Sequence, residues 1–182
     1  IAAAAPAIGA RVALESAEAA LSQGRIKRYE PNFDDISLAA LQSIHRCLFQ
    51  DVYDWAGELR TVDLSKGGTR FANVRRIVPE ADKLFRALAR EGHLVGLPRA
   101  EFLARLAHYY SELNVIHPFR DGNGRTQRLL FEIIGINAGF VLRWAPIWRS
   151  EWEAANIAAY NCQFHPLIVL LDRALSPIRG DE

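Results

Sequence analysis

The chain predicts a mainly α-helical bundle carrying one short β-hairpin. Three observations point there: seven stretches with apolar residues at helical spacing, one alternating stretch broken by a Gly-Gly turn, and a length of 182 residues, half of them hydrophobic. That size and apolar content suit one compact domain with a core of its own. No low-complexity linker or internal repeat divides it. Residues 1–182 therefore read as a single domain, with a core over about 29–175 and a helical N-terminal extension over 1–28.

Helices are expected near 8–23, 37–50, 79–91, 98–116, 123–139, 149–161 and 165–175. The fourth shows its stripe at Phe102, Leu103, Leu106, Tyr110 and Leu113, and Pro98 stands where a helix can start. Pro118 disfavours the helical conformation at His117, so this helix ends there with its imidazole at a bend. In the fifth, Leu129, Leu130, Ile133, Ile134 and Ile136 precede Gly139, a stop signal. Between the second and third helices the period changes. Val62 and Leu64 alternate with Thr61, Asp63 and Ser65, Lys66-Gly67-Gly68 offers a turn, and Thr69 to Ala72 return, giving a hairpin over 61–73. Such a hairpin on a helical domain has little core of its own to justify it.

Charge narrows the function. Lysine and arginine number 22 against 21 acids, a formal net charge of +1, which argues against a dedicated nucleic-acid or membrane-surface binder. No apolar run approaches the roughly 20 residues of a membrane span. The start, Ile1 to Ala7, resembles the small-residue end of a signal peptide but has no basic region or full apolar segment before it. Lacking an initial Met, the chain reads as trimmed. Cys47 and Cys162 lie far apart without metal-ligand spacing and are expected to be buried free thiols, which suits a reducing, cytoplasmic compartment.

Chemistry concentrates in His117-Pro118-Phe119-Arg120-Asp121-Gly122-Asn123-Gly124-Arg125-Thr126-Gln127-Arg128. This loop feeds a helix N-terminus, whose unpaired N–H groups and partial positive charge attract anions, and glycines around Asn123 let a phosphate approach the backbone. Arg125 and Arg128, three apart, are expected on one side of the helix start. Cations there oppose the helix dipole, a conflict that an anion held between arginine forks and amides removes. Asp121 would be repelled by such phosphates unless a magnesium ion joined them. His117 has an ordinary pKa near neutrality, suited to taking a proton from an attacking hydroxyl. Together the parts read as metal-assisted transfer from a nucleotide. Which phosphorus is attacked stays open on these residues alone.

Gly-Asn-Gly alone is a common turn, and a lone His-Pro is weaker still. The whole string, however, resembles the signature of the Fic family position for position: His-Pro-Phe, any residue, Asp or Glu, Gly-Asn-Gly-Arg, two residues, Arg. Tyr53 to Thr61 and Ser65 to Ala72 resemble the segment that precedes and forms the family's flap, and Ala158 to Asn161 with Pro166-Leu167 resemble the helix and turn beyond its active-site helix. The resemblance covers about 29–175 and implies the Fic fold. It implies transfer of AMP from ATP to a hydroxyl side chain of a target protein, with pyrophosphate released. His117 would be the general base and Asp121 the Mg2+ ligand. Asn123 with the Gly122 and Gly124 amides would cradle the α and β phosphates, and Arg125 and Arg128 would hold the outer ones. Tyr160 and Asn161 would line an adenine pocket. The flap, Lys66, Gly67, Gly68, Thr69 and Phe71, would pair its free edge with an extended target segment.

Many members of this family are silenced by a helix with Ser or Thr, three residues and a Glu that pairs with the second signature arginine. No Ser or Thr in this chain has Glu four residues later. The expectation is a toxin-type member whose small separate antitoxin brings a glutamate to Arg128. Type II topoisomerase subunits such as DNA gyrase B are candidate targets by resemblance. Two alternatives stand beside this. A Doc-like protein phosphotransferase would carry lysine in place of the second glycine, where this chain keeps Gly124, and a non-catalytic nucleotide-binding module would need no base at His117. Elsewhere, His45 and His108 read as core or half-exposed helix residues, His93 as a helix-end cation, His165 as a helix boundary, and Trp55, Trp144, Trp148 and Trp152 as core or interface packing.

Overall fold

The structure, a computed structural model, describes residues 8–178, with side chains from residue 16 onward. In chain order the elements are α1 (Ile8–Ile26), α2 (Leu38–Phe49), the hairpin β1 (Ser65–Lys66) and β2 (Thr69–Arg70), α3 (Ile77–Arg90), α4 (Arg99–Ile116), α5 (Asn123–Asn137), β3 (Phe140–Leu142), α6 (Arg149–Tyr160), α7 (His165–Ala174) and β4 (Leu175–Pro177). Single 3₁₀ turns, Val74–Arg76 and Gly92–Leu94, flank α3.

Helix α4 is the axis of the arrangement. Its buried residues, among them Phe102, Leu106, Tyr109, Tyr110 and Leu113, run round most of the helix, because α3, α5, α6 and α7 all pack on it. By contrast α3 buries only Ile77, Ala81, Leu84, Phe85 and Leu88, one stripe, and turns its charged side to water. α2, started by a Ser37 side chain that accepts from the Ala40 N–H, packs between α1 and α5. α1 lies against α2, where the Arg25 guanidinium forks onto Asp51 at 2.6 and 2.7 Å. The expected extension thus holds a helix that packs on α2, and residues 1–7 lie outside the described part.

All seven helices fall within three residues of their expected limits. α3 begins two residues before Pro79, which the first turn tolerates because its N–H would have no partner there. The hairpin is shorter than expected. Only Ser65 opposite Arg70 and Lys66 opposite Thr69 pair regularly, because the residues at its base bond to the end of α4 instead. A second small sheet was not expected from the sequence: β3 and β4 pair antiparallel, with Leu142 opposite Leu175, and lock the turn after α5 to the end of α7.

One packing expectation needs correction. Cys162 is exposed and Cys47 only partly buried, since Cys162 falls in the left-handed turn after α6 (φ 61°) rather than inside a helix. Trp148 is 76% exposed at the start of α6, whereas Trp144 and Trp152 do pack, edge to face, around Tyr110.

Candidate active site

The loop between α4 and α5 is built from main-chain bonds first. His117 ends α4 in the left-handed conformation (φ 49°, ψ 63°), with its N–H still donating to the Leu113 carbonyl at 3.0 Å. Pro118 after it and the bend at His117 carry the chain away from the helix, as the sequence predicted. Phe119 then plunges into the core, 1% exposed, and stacks on the His45 ring at 3.9 Å. The Asn123 side chain closes the loop: its carbonyl accepts from the Phe119 N–H at 2.9 Å and its amide donates to the Phe119 carbonyl at 2.8 Å.

His45, expected to be an ordinary core histidine, is fully buried and satisfied on both nitrogens. Gly57 N–H donates to Nδ1 at 2.8 Å, so the ring proton sits on Nε2 and is donated to the Asp121 carbonyl at 3.0 Å. Burial pushes its pKa below the ordinary value, with Asp121 opposing, and the ring stays neutral. It fixes the bend at Asp121 from below. Gly122 is next, with φ 74°, and a Cβ there would stand 2.4 Å from the Phe49 ring. Only glycine fits that place.

His117 itself is half-buried under Phe71, the two rings parallel within 10° at 3.7 Å. Its Nδ1 lies 3.3 Å from the Asn114 carbonyl, which can only accept. The proton therefore belongs on Nδ1 and the lone pair on Nε2, the arrangement a general base requires. Desolvation by burial, the largest cause, pushes its pKa down to about 4, helped by Arg60 and Lys66.

On the far side of the loop the anion cradle takes a different form from the expected one. The Asn123 side chain is spent on Phe119, and the Gly122 N–H donates to the Asp121 carboxylate at 2.6 Å. The N–H groups of Asn123, Gly124 and Arg125, at the very start of α5, have no hydrogen-bond partner among the described residues. A Cβ on Gly124 would meet nothing within 4 Å. Open space over three unpaired amides is what a phosphate group needs.

Of the two arginines, Arg125 is already engaged. Arg125 turns toward α1 and α2: its guanidinium pairs with the buried Glu18, donates to Ser22 Oγ at 2.8 Å and lies over the Phe49 ring at 4.7 Å. Tyr53 lies beside this cluster, its pKa raised by desolvation and then by the nearby Glu18 carboxylate. Arg128 has no ion-pair or hydrogen-bond partner among the described residues. Sequence reasoning missed Glu18, because a carboxylate 107 positions away from Arg125 carries no local signal.

The other predicted residues lie around this loop or on the hairpin. Asp121 is exposed at the mouth of the loop, with one carboxylate oxygen taken by Gly122 N–H. Gly67 and Gly68 form the hairpin turn, and exposed Lys66 stands 3.8 Å from Glu153 of α6. The Tyr160 hydroxyl donates to the Arg70 carbonyl at 3.1 Å, tying α6 to the hairpin, and the Asn161 amide caps α6 by donating to the Ile157 carbonyl at 2.9 Å. Thr69 pairs within the hairpin, and Phe71 covers the base rather than standing free.

Residues 35–134, spanning both the hairpin and the loop, match the family described as Fic/DOC. The chain belongs to that family. It is 43% identical over 145 residues to the probable protein adenylyltransferase Fic of Salmonella typhimurium, covering 80% of this chain and 72% of that one. It is 50% identical over 119 residues to the Escherichia coli protein of the same name, covering 65% of this chain and 60% of that one. In structure it is similar to the N-terminal Fic domain of a Bep effector protein from Bartonella quintana, solved with bound ADP. There the TM-score is 0.84 at 30% identity, with 90% of this chain and 85% of that one covered. A Fic-family chain this close to adenylyltransferases, with the signature intact, is an enzyme of the nucleotidyltransferase class. Among its described residues no helix is long and apolar enough to cross a membrane.

Proposed function

We propose that this chain is a protein adenylyltransferase that moves AMP from ATP to a hydroxyl side chain of another protein. The observation that carries the reading is the pairing, in one loop, of a histidine with its Nε2 lone pair free and a helix start with three unpaired amides. His117 Nε2 takes the proton of the target hydroxyl as its oxygen bonds to the α phosphorus. The bond from that phosphorus to the bridging oxygen breaks, and pyrophosphate leaves with the electron pair. The amides of 123–125 stabilise the charge on the phosphate oxygens, which is where such sites gain most. Mg2+ would neutralise the polyphosphate when bound. One exposed carboxylate, Asp121, fits an ion that takes one or two protein oxygens and fills its shell with phosphate and water.

The hairpin would present the target by main-chain pairing along its edge, so its tolerance of sequence is high and target choice lies elsewhere. A type II topoisomerase subunit is the target class we propose. We also propose that the chain acts as a toxin in the cytoplasm, restrained by a small antitoxin whose glutamate meets Arg128. One feature supports that: an Arg128 guanidinium with no partner among the described residues. If so, the purified chain gains activity when every bound protein is stripped from it. No gain ends the antitoxin reading.

The main test uses ATP labelled at the α or the γ phosphorus, with magnesium and a bacterial lysate as the source of acceptors. α label on protein supports AMP transfer. γ label instead supports phosphate transfer, and no label from either leaves a binding module.

A further inference from the structure

Outside the signature, Arg60 uses all three of its guanidinium nitrogens. Its side chain is fully buried, yet no carboxylate neutralises it at hydrogen-bond distance; Asp63 stands 3.9 Å away. The guanidinium is instead surrounded by main-chain carbonyls. Nε donates to His117 at 2.7 Å, Nη1 to Val62 at 2.7 Å, and Nη2 to Ile116 at 3.2 Å and to Ala72. Val62 and Ala72 are the two sides of the hairpin base; Ile116 and His117 are the end of α4. The Arg60 N–H adds a bond to the Pro118 carbonyl at 2.9 Å, and the Ala72 N–H one to the Val115 carbonyl at 2.9 Å.

Burying an unpaired guanidinium costs several kcal/mol unless its donors are met. Here the helix end supplies the compensation, since the last carbonyls of α4 lack intrahelical partners and carry the negative end of its dipole. One planar fork joins the hairpin and the catalytic turn. Lysine could not do the same, because an ammonium has three donors and no fixed plane.

We propose that Arg60 is a positioning residue for the transfer reaction: it fixes the hairpin edge relative to His117, so that a target chain laid on that edge brings its hydroxyl to Nε2. The proposal rests on the adenylyl-transfer reading above. Arg60 bonds to neither the amides of 123–125 nor Arg125 or Arg128, so ATP binding is expected to survive its loss. A misplacement of about 1 Å at a reacting atom can lower a rate by about a hundredfold.

The test compares the full wild-type chain with Arg60→Lys. At saturating α-labelled ATP, with lysate proteins as acceptors, the labelling rate should fall about tenfold to a hundredfold while the apparent KM for ATP stays within about twofold. Amide exchange should accelerate in 62–72 and leave α3 and α7 unchanged. A folded variant with an unchanged labelling rate, or with unchanged exchange in the hairpin, overturns the proposal. So does exchange that rises equally everywhere, which would make Arg60 a general core residue. If Arg60→Lys does not fold, Asp63→Ala takes its place. Asp63 is exposed and braces the same base by accepting from Val74 N–H at 2.7 Å and Asn73 Nδ2 at 2.8 Å. It should give the same pattern at about tenfold or less, the size of one ordinary hydrogen bond, and no change in either readout overturns the coupling. Should the wild type label nothing, the adenylyl-transfer reading fails, and hairpin exchange alone decides whether Arg60 holds the two elements together.

Discussion

The two halves of the signature loop are built on opposite plans. From His117 to Gly122 the loop is braced at several points: Arg60 on the His117 carbonyl, Asn114 on its ring, Asn123 on Phe119, His45 on Asp121. From Asn123 to Arg125 the amides are unpaired, and Gly124 faces open space. The braced half holds a proton acceptor in one orientation, while the open half leaves charge-seeking groups for a ligand. Preorganisation on one side and unpaired donors on the other are what transfer from a nucleotide requires.

Substitutions can break or sharpen this contrast. The largest effect is expected for His117→Ala, which should lower α-label transfer by about 10² to 10⁴ while leaving ATP affinity intact. Unchanged transfer would mean the braced half serves only structure. Gly122→Ala should come next, acting on the fold: its methyl meets Phe49 at 2.4 Å and its φ of 74° disfavours a side chain. Together overpacking and strain should cost about 2–4 kcal/mol, read as a fall of roughly 5–15 °C in Tm.

Asn123→Ala is predicted to be somewhat milder. It leaves the buried N–H and carbonyl of Phe119 unpaired, a loss of about 2–3 kcal/mol in a denaturant titration. A loss in ATP affinity without loss of stability would return its side chain to the phosphate cradle.

The pH dependence comes from the direction of the histidine shifts. With a folded pKa of about 4, His117 stays neutral, so the transfer rate should be level as pH falls from neutrality and drop only near that value, as protons occupy Nε2. Stability has the same sign. Both His45 and His117 have folded pKa values below the ordinary 6.5, so the unfolded chain binds more protons, and their contribution, present above 6.5, is lost as pH falls through the folded values. A bell centred near neutrality would assign the proton transfer elsewhere.

The smallest change should be Gly124→Ala, the counterpart of Gly122→Ala. With nothing near the added methyl, helix stability should rise by about 0.5–1 kcal/mol. ATP binding should weaken several-fold in a calorimetric titration, because the methyl occupies space over the amides. A stable protein with unaltered affinity would move the phosphate away from the start of α5.

Much of this is legible in the chain itself. Helical periods and proline stops are local, so the seven helices and the break at His117 can be read from neighbouring residues. The Phe119 anchor is legible for the same reason, as one apolar residue among polar ones. The short β3–β4 pair is not, since three-residue strands show too little alternation and their partners are more than thirty positions apart. Nor is the true use of Asn123, whose two amide bonds could serve a phosphate or a backbone equally well on sequence grounds.

By itself, then, the sequence determined the helical order, the loop that joins a base to an anion-seeking helix start, and the chemistry those residue types allow. The tertiary structure alone decided which groups remain for a ligand. Arg125 spends its charge on Glu18 and Arg60 on four carbonyls, partners brought together by packing over distances that no local pattern records. Residue type sets what a side chain can bond to, but the fold, by satisfying or leaving each donor, sets what it still has to offer.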